Sequence, residues 1–197
     1  MMRVCPYVIK NLKNNMKTYK EGCEIESDIN KHLPILLEYG KKCETIVEIG
    51  LREGISTLAF IEACPKYLQS IDIEIDWGSK AIQNLTKYAE IKGVEFHAIL
   101  GDSRKGEIIP CDMLFIDGEH TYEAVKKELE LHPKKVKKYI GFHDVVTFGY
   151  RNEVKREGKQ GINYAIEEFL EANKNWVIDY VSIFCNGLLI LKNTDNV

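Results

Sequence analysis

The feature that most limits how this chain can fold lies at its end. Trp176–Val181 and Gly187–Lys192 both read as strands, and the link between them, which carries Asn186-Gly187, is too short for a helix. A hairpin is the only inexpensive connection, so these two strands are expected to be antiparallel. Everything before them alternates differently. Thr45–Ile49, Leu68–Ile73, Glu95–Leu100, Asp112–Ile116 and Lys137–Phe142 are short apolar runs. Ile55–Cys64, Ser79–Glu90, Tyr122–Leu131 and Ile162–Ala172 have helical spacing. Strand–helix alternation demands a parallel sheet with helices on both faces. The expected fold is α/β, a three-layer sandwich on a mostly parallel seven-stranded sheet with a C-terminal antiparallel hairpin.

Ahead of the first strand, Ile29, Leu33, Leu36 and Leu37 are spaced for one buried helical face, with Pro34 near the start and Gly40 as a stop. Residues 1–26 are weakly patterned and read as an N-terminal extension, leaving 27–197 as one domain. A chain of 197 residues can bury a full core without staples. The six cysteines, at 5, 23, 43, 64, 111 and 185, form no CxxC pair and read as small apolar residues in a reducing compartment. A net charge of -3 disfavours a nucleic-acid partner. The N-terminus lacks the apolar stretch of a signal peptide, and no run approaches the ~18 apolar residues of a membrane helix. The expected location is cytoplasmic, with no membrane partner; the pattern leaves the oligomeric state open.

Three acidic or glycine-rich elements fall at the same expected sheet edge. The first strand runs into Glu48-Ile49-Gly50-Leu51-Arg52-Glu53-Gly54-Ile55-Ser56-Thr57, a tight turn in which glycines admit close approach of a ligand and free helix N–H groups face an anion. The spacing is ExGxxxG, unlike the GxGxxG of pyrophosphate binders. Asp72 ends the second strand, placed to accept ribose hydroxyls, with Glu74 as a second candidate. Gly101-Asp102-Ser103 follows the third strand, where an acid can reach an adenine amino group.

IVEIGLREGIST (46–57), SIDIE (70–74) and LGDS (100–103) resemble motifs I, II and III of class I S-adenosylmethionine-dependent methyltransferases, a Rossmann-like family. The resemblance implies S-adenosylmethionine as cofactor. Glu48, Gly50 and Gly54, with Arg52 and Ser56 on the same turn, would hold the methionine portion. Asp72 would hold the ribose, Asp102 and Ser103 would face the adenine, and Asp117 would line the same site. FIDGEHTYEAVKKELEL (115–131) and KYIGFHDVVTFG (138–149) are similar to a bacterial and phage group related to the family 24 methyltransferases and, more distantly, to catechol O-methyltransferase-like enzymes. SDINKHLP (27–34) and NGLLIL (186–191) look like the same group.

Two chemistries fit the remaining residues. In one, His143 or His120 deprotonates an acceptor hydroxyl, since a free imidazole titrates near neutral pH. In the other, Asp117 and Asp144 hold a divalent cation that acidifies and orients the hydroxyl. Related metal-dependent enzymes usually follow the second carboxylate with an acid or asparagine, whereas this chain has Val145. A histidine ligand such as His143 would favour Zn²⁺, Mn²⁺ or Fe²⁺ over Mg²⁺. His32, His97 and His132 read as structural. Residues 147–161 are long, charged and glycine-punctuated, and read as either a disordered, solvated segment or a lid whose Arg151 and Lys155 could meet an acidic acceptor. The leading expectation is an O-methyltransferase acting on a small molecule or saccharide. The alternatives are a module that binds the cofactor without catalysis and, less favoured, a nicotinamide-dependent oxidoreductase.

Overall fold

A computed structural model describes residues 17–154 and 157–195. Its strands are β1 (Thr45–Ile49), β2 (Tyr67–Asp72), β3 (Glu95–Leu100), β4 (Cys111–Ile116), β5 (Val136–His143), β6 (Trp176–Ser182) and β7 (Leu188–Asn193). They form one sheet in the order β3-β2-β1-β4-β5-β7-β6. The first five are parallel, and β7 runs antiparallel to both β5 and β6, as the short Asn186-Gly187 link requires. The order reverses between β1 and β4. In an open α/β sheet a ligand crevice forms beyond the carboxyl ends of the strands at that reversal.

Among the described residues there are six α-helices: α1 (Tyr19–Glu24), α2 (Leu33–Gly40), α3 (Ile55–Glu62), α4 (Lys80–Lys92), α5 (Tyr122–Leu131) and α6 (Ile162–Ala172). Strand alternation divides the core in two. Ile46, Met113 and Phe115 face α2, α3 and α4, whereas Val47, Ile49, Leu114 and Ile116 face α5 and α6. The strands flanking the reversal, β1 and β4, are almost wholly buried, which makes their carboxyl ends a rigid platform. Among the described residues no helix is long and apolar enough to cross a membrane.

Several boundaries move, each for a local reason. The helix expected to reach Cys64 stops at Glu62, because Cys64 is left-handed (φ 57°) ahead of Pro65. The second strand ends at Asp72, and Ile73 stands exposed. Gly40 does end α2, but as a packing residue: a Cβ there would lie 2.8 Å from that of Ala63, so glycine lets α2 close on α3. Within the expected extension, α1 packs Tyr19 and Cys23 on the core and is capped by a Thr18–Glu21 capping box. Residues 1–16 and Lys155 lie outside the described residues.

Candidate functional site

The turn after β1 is held against the turn after β4. Gly50 is left-handed (φ 92°), and a Cβ there would fall 2.0 Å from the Asp117 carbonyl oxygen. The Asp117 amide donates to the Ile49 carbonyl at 2.8 Å, so the two strand ends form one unit. Gly54, the N-cap of α3 (φ 71°), lies against Leu85, where a Cβ would sit 2.3 Å from a methyl group. Glu48 turns inward. Its carboxylate accepts from Ser56 Oγ (2.5 Å), Thr57 Oγ1 (2.7 Å) and Ser70 Oγ (2.5 Å), pinning the first turn of α3 to β1 and β2. Burial pushes this carboxyl up to about 7 despite the three hydroxyl donors.

Among the described residues, two of the cavities along this edge meet at Asp117. One, of about 200 Å³, lies between Ser27-Asp28 and the turn, with Gly50, Arg52, Gly54 and Ser56 in its wall. The other, of about 450 Å³, runs past Asp72, Asp102, Ser103 and Glu128. Asp117 lines both. Asp72 Oδ2 accepts from the Leu51 and Arg52 amides at 2.8 and 3.0 Å, and its Oδ1 from Glu74 N at 3.1 Å. Asp102 takes Arg104 Nε on Oδ1 at 2.8 Å and Nη2 on Oδ2 at 3.2 Å, with Lys105 at 3.3 Å. That guanidinium holds the Asp102 carboxyl well below the usual range. Arg104 also reaches Glu119 at 2.7 Å. Ser103 Oγ donates to Glu128 Oε1 at 2.6 Å.

Beyond Asp117 the edge becomes a buried cluster of acids and histidines. His120 Nε2 lies 3.2 Å from Asp117 Oδ1 and 3.1 Å from Asp144 Oδ2, while its Nδ1 faces Glu153 Oε2 at 3.3 Å. His143 Nδ1 lies 3.1 Å from Asp117 Oδ1 and 3.3 Å from Asp144 Oδ2. Its Nε2 donates to the carbonyls of Asp28 and Cys185, each at 3.0 Å. Acceptors at both nitrogens favour the protonated ring of His143: burial opposes the charge, but the hydrogen bonds it donates to Asp117 and Asp144 raise its pKa to about 11. In that protonated form His143 keeps no lone pair for a substrate proton or a cation. Burial likewise opposes charge on His120, and Asp117, Asp144 and Glu153 raise its pKa all the same. Asp117, His120 and Asp144 each offer one ligand atom within 4.8 Å of the others. Asp144 is left-handed (φ 62°) and 3% exposed, and its Oδ1 has no hydrogen-bond partner.

The segment expected as a lid crosses this cluster. Phe148 stacks on His120 with ring centroids 5.2 Å apart. Asn152 Oδ1 accepts from the Tyr122 amide at 3.0 Å and the Gly161 amide at 2.7 Å, tying the segment to the start of α5 and to its own far end, the N-cap of α6. Arg151 lies over the Phe148 ring and donates to the Thr147 carbonyl at 2.7 Å. His32 donates to the Phe184 and Cys185 carbonyls, and His132 to the Ser103 carbonyl.

Sequence reasoning missed Arg104, Glu128, Glu153 and the Asp28 and Cys185 carbonyls. Arg104 was within reach of inspection, two residues after Asp102. Glu128 carried a signal as well, an acid on the face of α5 that buries Val125 and Leu129. The carbonyls carried none.

The family profile for the family 24 methyltransferase domain matches residues 47–145, half of the chain. A search of curated proteins finds no match. Among solved structures, a Staphylococcus aureus protein provisionally described as a caffeoyl-CoA O-methyltransferase superposes with a TM-score of 0.64 at 18% identity, covering 95% of this chain and 97% of its own. The O-methyltransferase TomG of Streptomyces achromogenes, solved with S-adenosylmethionine, gives 0.58 at 16% identity over 94% and 95%. A Bacillus cereus O-methyltransferase solved with S-adenosylhomocysteine gives 0.54 at 16% identity over 94% and 86%. At these identities the likeness establishes the fold, and the domain profile establishes the family. The chain belongs to the family 24 methyltransferase domains, S-adenosylmethionine-dependent methyltransferases of the class I fold.

Proposed function

We propose that this chain transfers a methyl group from S-adenosylmethionine to an oxygen of a small hydroxylated acceptor, with saccharides included in that class. The observation that carries the reading is the position of Asp117. It lines both the small cavity beside the glycine turn and the larger one past Asp72, and its carboxylate also belongs to the acid–histidine cluster. A cofactor lying along the edge would place its methionine portion between Asp28 and Gly50–Ser56 and its adenosine past Asp72 and Ser103. Its reactive sulfonium would then lie near Asp117. Glu48 acts from below, holding the turn in shape, and its three bonded hydroxyls leave it no role on the ligand.

The cluster suits a divalent cation. The partnerless, buried Asp144 Oδ1 and the convergence of Asp117, His120 and Asp144 support this fit. Two carboxylates and an imidazole favour Mn²⁺, Fe²⁺ or Zn²⁺ over Mg²⁺. The cation would lower the acceptor hydroxyl's pKa and orient it. In this arrangement His143 is a positioning residue that keeps both carboxylates aimed inward, and Glu153 and Phe148 hold the outer side of His120.

Calorimetric titration with S-adenosylmethionine and S-adenosylhomocysteine, with and without Mn²⁺ and Mg²⁺, tests the reading. Micromolar binding that Asp72→Ala weakens strongly is expected. No binding of either ligand under any metal condition would refute it. The substrate class is tested by methyl transfer to polyols and phenols, and transfer to amines alone would overturn the assignment to oxygen.

A further inference from the structure

Resting on that reading, we infer that Glu128 is the specificity residue for the cofactor's base, its Oε2 accepting the exocyclic amino group of adenine. The acid expected to do this from its place after β3, Asp102, is engaged already. Arg104 occupies both of its oxygens through Nε and Nη2, and the Arg104 amide and Lys105 add further donors. Glu128 stands across the same cavity on α5 and is 2% exposed. Ser103 Oγ fixes its Oε1 at 2.6 Å, whereas its Oε2 has no hydrogen-bond partner. A buried carboxylate oxygen without a donor costs on the order of 1–3 kcal/mol, and an amino group entering the cavity would remove that cost. The backbone of Ser103 is itself braced from behind by His132 Nε2 at 2.9 Å, so the hydroxyl that orients Glu128 does not drift.

The protonation state of Glu128 matters to this role. Burial raises its carboxyl to about 7, with Ser103 and Arg104 opposing and Asp102 and Glu119 adding to the rise. His132, from the end of α5, is lowered by its own burial and so adds no charge near neutral pH. Above pH 7 the carboxylate accepts from an amino group. Below it, the carboxyl donates and suits a carbonyl instead.

The test compares S-adenosylhomocysteine with its deaminated counterpart, S-inosylhomocysteine, by calorimetry on the full chain. At pH 8 the unaltered protein should prefer the adenine ligand by about tenfold or more, since a carbonyl facing a carboxylate is unpaired and repelled. Glu128→Gln, whose amide can offer either an oxygen or an NH₂, should cut that preference to about threefold or less. Asp102→Asn should retain it. In the unaltered protein the preference should also shrink between pH 8 and pH 6, an arm that needs no variant to fold and in which the ligands' common groups cancel. Retention of the full preference in Glu128→Gln, its collapse in Asp102→Asn, or a preference independent of pH would each overturn the inference. So would equal binding of the two ligands by the unaltered protein, which would leave the cofactor assignment standing. Failure to bind S-adenosylhomocysteine at all would bring down both.

Discussion

The two halves of the carboxyl edge are built by different means. On the β2–β3 side, the two strand-end acids are each satisfied within their own loop or a neighbouring one. Asp72 is bonded to amides of the glycine turn and of Glu74, and Asp102 to Arg104 two residues on. On the β4–β5 side, the buried acids and histidines depend on partners far away in sequence. His143 is fixed by Asp28, 115 residues earlier, and by Cys185, 42 residues later. The first half is a surface of short loops that can lose a contact and stay folded. The second is a closed network in which each charge is tolerable only because the others are present.

The largest expected effect tests that difference directly. Asp117→Ala removes one of the two acids shared by both histidines and leaves buried imidazolium charge poorly compensated, a loss of about 3–5 kcal/mol. Asp72→Ala, at a half-exposed site, should cost about 1–2 kcal/mol of stability while weakening cofactor binding at least about tenfold. Urea denaturation and calorimetry on the two variants separate stability from affinity. Equal stability losses would break the comparison. Asp144→Asn sharpens it: the fold should survive better than with Asp117→Ala, while any stimulation of turnover by Mn²⁺ should disappear.

Next in size is a pH effect beneath the glycine turn. Glu48 is 0% exposed and its folded pKa, raised by burial to about 7, exceeds the model-peptide value of 4.5. The folded state therefore holds this proton more tightly than the unfolded state. Its contribution to stability is present below about pH 4.5 and is lost as pH rises to about 7, by about 3 kcal/mol in all. Glu48→Gln, which retains an acceptor for the hydroxyls, should flatten that part of the stability–pH curve. An unchanged slope would show that the three hydroxyl donors outweigh burial and that Glu48 is ionised throughout.

How much of this was legible in the sequence follows from the same division. Strand ends share an edge by topology, so the register of β1, β2, β3, β4 and β5 placed Glu48, Asp72, Asp102, Asp117 and Asp144 together from spacing alone. What spacing cannot give is the direction of a side chain that has several donors within reach. Glu48 turned under the turn because Ser56, Thr57 and Ser70 outnumber anything at the mouth. The charge on His143 was not readable because it is set by Asp117 and Asp144 converging on one ring nitrogen, a meeting that only the folded chain produces. Asp102 and Glu128 lie between these cases: a basic neighbour and an acid on an apolar helix face were both readable, and their consequences for the base pocket were not.

The smallest expected effects lie in the segment over His120, where the closed network meets solvent. Asn152→Ala deletes one oxygen that accepts from both the Tyr122 and Gly161 amides, and should cost about 1–2 kcal/mol. Amide exchange at those two residues should accelerate while exchange in β4 stays unchanged, which would mark the loss as local. Glu153→Gln should do less still. Its carboxylate faces His120 Nδ1 at 3.3 Å but its side chain is 47% exposed, so solvent screens the pair and the expected cost is below about 1 kcal/mol. Asp117 and Asp144 remain to hold the imidazole on its other side. If Glu153→Gln instead destabilised the fold as much as Asp117→Ala, the network would have to extend into the lid. Opening that segment to admit an acceptor would then disrupt the buried charges themselves, and the division between a rigid cluster and a separable cover would fail.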